Sequence, residues 1–114
     1  MRDTAAFKVL TGADLAELEG GSFAGSADDR RDGYIHLSTA TQLTATVDKH
    51  YADGGDLHVA EVDLEALGEA IRWEPSRGGE DFPHLYGSLP LDTVVAYSPL
   101  ERDDDGQVKL PVTG

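Results

Sequence analysis

Cysteine is absent from the 114-residue chain, which excludes disulfides, thiolate metal sites and thiol catalysis. Positive charge is also scarce: nine Lys and Arg residues stand against 22 Asp and Glu residues, a formal net charge of −13. This charge opposes attraction to nucleic acid and to anionic lipid, so we expect neither general nucleic-acid binding nor membrane binding. Because salt screens charges over about 8 Å, a local cationic pocket for a small phosphorylated ligand is compatible with this composition.

Long apolar runs are missing too. No stretch approaches the ~20 residues of a membrane span, and the N-terminal residues lead into a strand-like segment instead of a signal sequence. We therefore predict a cytoplasmic protein. With 39% hydrophobic residues, residues 1–114 suffice for one domain whose core needs neither metal nor disulfide.

Hydrophobic periodicity predicts alternating strands and helices early in the chain and strands later. The predicted strands are 5–10, 34–38, 57–62, 71–74 and 93–97. Two helices follow the first two strands, each opened by a capping box, Thr11 with Asp14 and Thr39 with Gln42, and residues 63–67 form one further helical turn. The remaining predictions are loops at 21–33 and 75–92 and a strand at 107–110, which pairs with 93–97 across the turn at 103–106. This order indicates an α+β fold with a mixed or antiparallel sheet.

Four histidines are the side chains expected to titrate near neutral pH: His36, His50, His58 and His84. Their spacing contains no compact metal-binding motif, so we predict no metal site. We interpret His50 as a cation at a helix end and His58 as a solvated strand residue.

The strand at 34–38 has a polar face formed by Tyr34, His36 and Ser38. Two residues along a strand are about 6.6 Å apart, which is too far for a Ser–His catalytic dyad. Together they suit two contacts along one ligand, such as ribose hydroxyls. The alternative is that His36 bonds a neighbouring loop and Ser38 starts the next helix.

The stretch 73–87 combines several groups that can hold an anion or move a proton. Arg77 offers a planar fork for phosphate, and Ser76, Gly78 and Gly79 offer hydrogen-bond donors that an anion can approach closely. His84 adds a proton carrier and Tyr86 an aromatic hydroxyl. The alternative is a structural loop in which Arg77 pairs with neighbouring carboxylates and the aromatic residues fill the core.

Several motifs together resemble the bacterial family catalogued as domain of unknown function 952. The resemblance covers nearly the whole chain. It rests on Lys8-Val9-Leu10-Thr11, Gly25-Ser26, the run from Asp32 to Thr39, Asp56-Leu57, and the runs 73–79 and 82–87.

The resemblance implies a fold similar to the ADP-ribosyltransferase and RNA 2′-phosphotransferase group, in which a split sheet with two short helices binds NAD or ADP-ribose in a cleft. His36 looks like the histidine that holds the ribose in that group, and Tyr34 or Tyr86 resembles its aromatic wall. The carboxylate that this group carries on a later strand has no clear counterpart. Glu61, Glu74 and Glu101 are candidates by residue type.

The sequence thus favours a cleft for an NAD-like or other phosphorylated ligand, with His36, Arg77 and His84 as catalytic residues. Tyr34, Ser38, Ser76, Gly78, Gly79 and Tyr86 are the predicted ligand contacts. The implied activity is an ADP-ribosyltransferase-like transfer or an NAD glycohydrolase reaction. Two alternatives stay open: a non-enzymatic domain of the same fold that binds a small molecule or a protein, and a hydrolase or metal-dependent enzyme built on the four histidines. The oligomeric state does not follow from the sequence.

Overall fold

The computed structural model describes residues 3–52 and 54–111, with the backbone alone for Arg77. The first strand, β1, spans Ala5–Thr11 and leads directly into helix α1 at Gly12–Glu19. Thr11 caps this helix: its hydroxyl accepts from the backbone N–H of Asp14, and the Asp14 carboxylate accepts from that of Thr11. The first predicted strand and the first capping box are therefore confirmed.

A three-stranded antiparallel sheet forms one half of the fold, with β4 (Leu57–Asp63) between β1 and β8 (Val94–Pro99). Both faces of β1 are covered, because Ala6 and Leu10 pack in one apolar cluster and Phe7 and Val9 in another. This two-sided burial explains why the strand reads as a continuous apolar run. Lys8 is the polar exception, and it is buried.

A second antiparallel sheet of three strands carries two of the predicted site residues, His36 and His84. Its middle strand is β6 (Asp81–Leu85), flanked by β3 (Ile35–His36) and β5 (Ile71–Pro75). The two sheets are joined where Phe7 and Ser38 exchange backbone hydrogen bonds of 2.7 and 2.9 Å. The antiparallel pairing confirms the α+β class.

Short elements complete the described chain. These are strands β2 (Ser22–Phe23) and β7 (Leu89–Pro90), which pair with each other, and helices α2 (Ala27–Asp32), α3 (Leu43–His50) and α4 (Leu64–Leu67). Helix α4 confirms the helical turn predicted at 63–67, so α2 is the one α-helix of the described residues that was not predicted. None of these helices is long and apolar enough to cross a membrane.

Two predicted loops contain regular structure. The segment 21–33 holds β2 and α2, and the segment 75–92 holds β6 and β7, so both loop predictions were wrong. Pro83 stands within β6, and prolines ordinarily argue against a central strand. Its carbonyl still accepts a 3.2 Å hydrogen bond from the Leu37 N–H, so the strand keeps a contact with β3.

The start of α3 and the pairing of residues 107–110 also differ from the predictions. Gln42 accepts from the backbone N–H of Thr39, but the Thr39 hydroxyl contacts Thr41 instead, so this capping box is half formed and α3 begins at Leu43. The segment 107–110 does not pair with the late strand. It folds back on residues 101–103, whose backbone bonds Gln107 and Lys109, while β8 pairs with β4.

Candidate functional site

A cleft of about 260 Å³ lies among β1, α2, β3 and α3. Its walls include five of the residues predicted to form the site: Tyr34, His36, Ser38, Ser76 and His84. Tyr34, His36 and Ser38, which the alternation along residues 34–38 predicted on one face, all line the cleft, and Leu37 from the opposite predicted face lines it too. The other two of the five come from positions about 40 residues later in the sequence, which the β3–β6–β5 sheet brings to the same place.

Helix α2 supplies the carboxylates of the cleft. Ser26 and Asp29 form a capping box at its start, and Gly33 ends it with a φ of 88°, a left-handed conformation that glycine adopts without strain. Asp29 and Asp32 are three residues apart and so share one face of the helix. That face is directed at His36.

Asp29 is the most highly bonded side chain of the site and is only 2% exposed. Its carboxylate forms an ion pair with Lys8, with Nζ–O distances of 2.9 and 3.2 Å. The same carboxylate accepts from His36 Nδ1 at 2.6 Å and from the backbone N–H groups of Ser26 and His36 at 2.9 and 3.1 Å. These bonds fix the position of the His36 ring relative to β1.

The environment of Asp29 holds its carboxyl group ionised. Burial raises the pKa, but the hydrogen bond from His36, the charge of Lys8 and the N–H of Ser26 lower it by more, so the pKa lies well below its ordinary value of 3.8. Ionised Asp29 therefore stabilises the folded chain.

Acid should remove the stabilisation that Asp29 provides. Because the folded-state pKa is depressed, this contribution is complete above the unfolded-state pKa and is lost as the pH falls from about 4 towards the folded-state value. We expect the difference in unfolding free energy between wild type and Asp29→Asn to shrink as the pH falls from about 6 to about 3. Urea unfolding at several pH values measures it, and a difference that stays constant would contradict the assignment.

His36 is held between two carboxylates. Its Nδ1 faces Asp29, and its Nε2 lies 2.9 Å from Asp32 Oδ2. Since a carboxylate only accepts hydrogen bonds, a ring nitrogen of His36 that carries a proton donates to the carboxylate it faces. The Asp32 carboxylate also accepts from Arg31 Nε at 3.1 Å, and this bond is the main reason that the pKa of Asp32 is lowered.

A second cluster of contacting side chains lies next to His36 and its two aspartates. It consists of Tyr34, Glu74, His84 and Tyr86. The His84 ring is 3% exposed and stacks on Tyr34, with ring centroids 4.0 Å apart and planes at 20°. Its Nδ1 lies 2.8 Å from Glu74 Oε1, and the Tyr86 hydroxyl donates to the same oxygen at 2.8 Å. The His36 and His84 rings are 5.7 Å apart, so the two clusters are in contact.

The bonds to Glu74 shift the pKa values around it. Hydrogen bonds from His84 and then from Tyr86 lower the pKa of the Glu74 carboxyl, and donating to Glu74 raises the pKa of the Tyr86 phenol. Arg72 lies 5.0 Å from the centroid of the Tyr86 ring, a cation–π distance. Glu74 therefore orients two rings while remaining an anion.

The remaining predicted contacts are only partly brought together. The Ser38 hydroxyl lies on the cleft wall but is bonded to Thr46 at 2.8 Å. Tyr86 contacts Tyr34, at a centroid distance of 5.4 Å, and neither Gly78 nor Gly79 is among the described residues that line the cleft. The Arg77 side chain lies outside what the structure describes, so its predicted role stays a prediction.

Among the three candidate glutamates, Glu74 is the one whose side chain is seen, in the described part of the chain, to bond a cleft-lining side chain, that of His84. Glu61 lies on β4 and Glu101 follows β8, and neither is among the described cleft-lining residues. Of the other histidines, His50 ends α3 as predicted and also lines the cleft. His58 is partly buried and bonded to Asp56 at 3.0 Å, so the solvated position predicted for it was wrong. No group of three or more His, Asp or Glu side chains in the described part of the chain is arranged to hold a metal ion.

Sequence reasoning missed Lys8, Asp29 and Asp32. One signal was present: Ser26 and Asp29 have the spacing of a capping box, which predicts a helix in the segment that we took for a loop. On that helix, Asp29 and Asp32 share one face, and His36 lies only four residues after Asp32 in the sequence. The partner of Lys8 had no local signal, because 21 residues separate it from Asp29.

The comparisons with known proteins identify the family. A family model described as protein of unknown function, DUF952, matches residues 10–97. The chain belongs to this family. The resemblance drawn from the motifs is confirmed at that level, and no curated protein matches the chain.

Solved structures agree with the DUF952 fold seen here. The crystal structure of protein CC0527 from Caulobacter crescentus has a TM-score of 0.84 at 40% identity, over 94% of this chain and 95% of that one. A crystal structure of its double mutant gives 0.84 at 39% identity, over 94% and 95% of the two chains. Its solution NMR structure gives 0.77 at 40% identity, over 93% and 91%.

Proposed function

We propose that the cleft binds an NAD-like or other phosphorylated ligand and that the protein transfers or cleaves at an ADP-ribose centre. The activity is then an ADP-ribosyltransferase-like transfer or an NAD glycohydrolase reaction on an ADP-ribosyltransferase-like split sheet. One observation carries the proposal. The β3–β6–β5 sheet joins His36, Tyr34, His84 and Glu74 into one contact network, three members of which line the cleft.

The donors around the cleft suit a phosphorylated ligand despite the negative charge of the chain. Arg31, Lys49 and the two histidines His36 and His84 all line it. Cationic and N–H donors are the groups that bind phosphate oxygens in proteins. The Tyr34 ring adds an aromatic surface for a flat base or nicotinamide ring.

The size of the cleft limits how much of a dinucleotide it encloses. At about 260 Å³ it lies near the lower end of ligand pockets, which span roughly 300–1,000 Å³. A volume of this order accommodates one nucleoside-sized half of NAD. The other half then extends over the rim, where Arg31 and Lys49 lie.

The reaction needs a site that tolerates positive charge on the ribose and accepts a proton. The bond between ribose C1′ and the nicotinamide nitrogen breaks with its electron pair going to nicotinamide. Water or an acceptor group then bonds to C1′ and loses a proton. A histidine paired with a carboxylate, such as His84 with Glu74, is a suitable proton acceptor.

Titration with NAD tests the proposal directly. The NMR signals of the four histidine imidazoles are followed with increasing NAD, and free nicotinamide is measured in the same sample. We expect shifts at His36 and His84, assigned by substitution, together with growing nicotinamide. Shifts without nicotinamide would support the non-enzymatic small-molecule-binding alternative, and no response in either signal would contradict the proposal.

Substituting the glutamates separates a role in turnover from one in binding. Glu74→Gln keeps an oxygen that accepts from His84 and Tyr86 but removes the negative charge. We expect kcat for nicotinamide release to fall roughly 10- to 100-fold with KM little changed. Because Glu74 acts through His84, the pH profile of kcat should shift as well.

The matched controls for this experiment are Glu61→Gln and Glu101→Gln. Both remove the same charge, but from side chains that are not seen in the described structure to bond His84 or Tyr86 as Glu74 does. They should leave kcat unchanged within about twofold. Equal losses in all three variants would instead indicate a general effect of charge.

A further inference from the structure

The Asp32 carboxylate contacts nitrogen atoms of two side chains from two different elements, Arg31 of α2 and His36 of β3. Its Oδ1 accepts from Arg31 Nε at 3.1 Å, and its Oδ2 lies 2.9 Å from His36 Nε2. All three side chains line the cleft. One donor per oxygen is the arrangement by which proteins hold an oxyanion such as carboxylate or phosphate.

We propose that Arg31 and His36 form the subsite for a phosphate group of the ligand, and that Asp32 occupies this subsite in the ligand-free protein. Binding of the ligand then displaces the Asp32 side chain. This inference rests on the proposed function and assigns the anionic part of the ligand to a particular pair of donors. The family resemblance implies that His36 holds the ribose hydroxyls, whereas this inference assigns it to a phosphate oxygen.

A ligand can displace the Asp32 side chain while the His36 ring keeps its position. The Asp32 side chain is 32% exposed and stands at the last position of α2, so its carboxylate reaches water without being buried unpaired. His36 keeps its Nδ1 bond and its backbone N–H bond to buried Asp29 when Asp32 moves. The Nε2 donor therefore remains aimed at the cleft.

Asp28 provides a matched control within the same helix. Its carboxylate lies 3.2 Å from Arg31 Nη1, and no contact joins it to His36 in the described structure. Removing either aspartate takes one negative charge from α2 and one partner from Arg31. Only removal of Asp32 also frees His36 Nε2.

The test measures binding of inorganic pyrophosphate, the anionic group shared by NAD and ADP-ribose, through the His36 imidazole signal. We expect Asp32→Ala to bind pyrophosphate about tenfold more tightly than wild type, and Asp28→Ala to differ from wild type by less than about twofold. Adding Arg31→Gln to Asp32→Ala should remove the gain. Asp32→Asn, which keeps the shape of the side chain, repeats the measurement if the alanine variant does not fold.

The outcomes distinguish this inference from the proposed function. Equal affinities in Asp32→Ala and Asp28→Ala, or no saturable binding by either Asp32 variant at millimolar pyrophosphate, would overturn the subsite. A gain that is confined to Asp32 variants supports it, even where wild type neither binds NAD nor releases nicotinamide. A wild-type protein that neither binds NAD nor releases nicotinamide would overturn the proposed function but not the subsite.

Discussion

Replacing Asp29 with alanine should destabilise the protein by about 3–5 kcal/mol, the usual cost of removing one partner from a buried ion pair. The loss leaves the Lys8 ammonium buried without its counter-charge, since its side chain is 4% exposed. It also leaves the backbone N–H groups of Ser26 and His36 without their acceptor. Because domains are stable by only about 5–15 kcal/mol, this single change removes a large part of the total.

Urea unfolding, followed by the fluorescence of the single tryptophan, Trp73, measures this effect. Asp28→Ala is the control, because that side chain is 69% exposed and its pair with Arg31 contributes about 0–1 kcal/mol at most. Lys8→Met should cost less than Asp29→Ala, since Asp29 then keeps its three bonds from Ser26 and His36. Equal losses for Asp29→Ala and Asp28→Ala would show that the buried pair does not hold the site together.

The regular part of the fold could be predicted because its signals are local. The apolar run of β1, the capping box of α1 and the strand at 57–62 each depend on residues close in sequence, and each appears in the structure. The same holds for the polar face of residues 34–38. The three residues of that face line one cleft, as alternation along an extended backbone predicts, although Leu37 lines it as well.

The elements that were missed have weak or contradictory local signals. Helix α2 has six residues, none of them a large apolar residue, so it lacks the periodicity that predicts a helix. Strand β6 contains Pro83 and follows two glycines, a composition typical of loops. Pairing on both sides, with β3 and β5, supplies the hydrogen bonds that local sequence cannot encode.

The chemistry of the site was only half predictable for the same reason. His36 and His84 were found by residue type, but their carboxylate partners depend on how distant segments meet. Glu74 reaches His84 because β5 and β6 are antiparallel neighbours. Asp29 of α2 bonds Lys8 of β1, a contact between residues 21 positions apart in the sequence.

His36→Asn should weaken binding of ADP-ribose by about 10- to 100-fold, since a charge-assisted hydrogen bond contributes about 1.5–3 kcal/mol. The asparagine amide takes the place of Nδ1 and keeps a donor for Asp29, but it removes the Nε2 group that faces Asp32 and the cleft. We therefore expect the unfolding free energy to change by less than about 1 kcal/mol while affinity falls. Calorimetric titration with ADP-ribose and urea unfolding measure the two effects separately.

Two further variants make this prediction specific to one nitrogen of one ring. His36→Gln brings an amide donor near the position of Nε2, so it should recover part of the affinity that His36→Asn loses. His58→Asn alters another histidine paired with an aspartate, Asp56, at a position that is not among the described cleft-lining residues, and it should leave affinity unchanged. Wild-type affinity in His36→Asn would exclude Nε2 as a ligand contact. A loss in His36→Asn that His58→Asn does not share ties the ligand to the donor that Asp32 now engages.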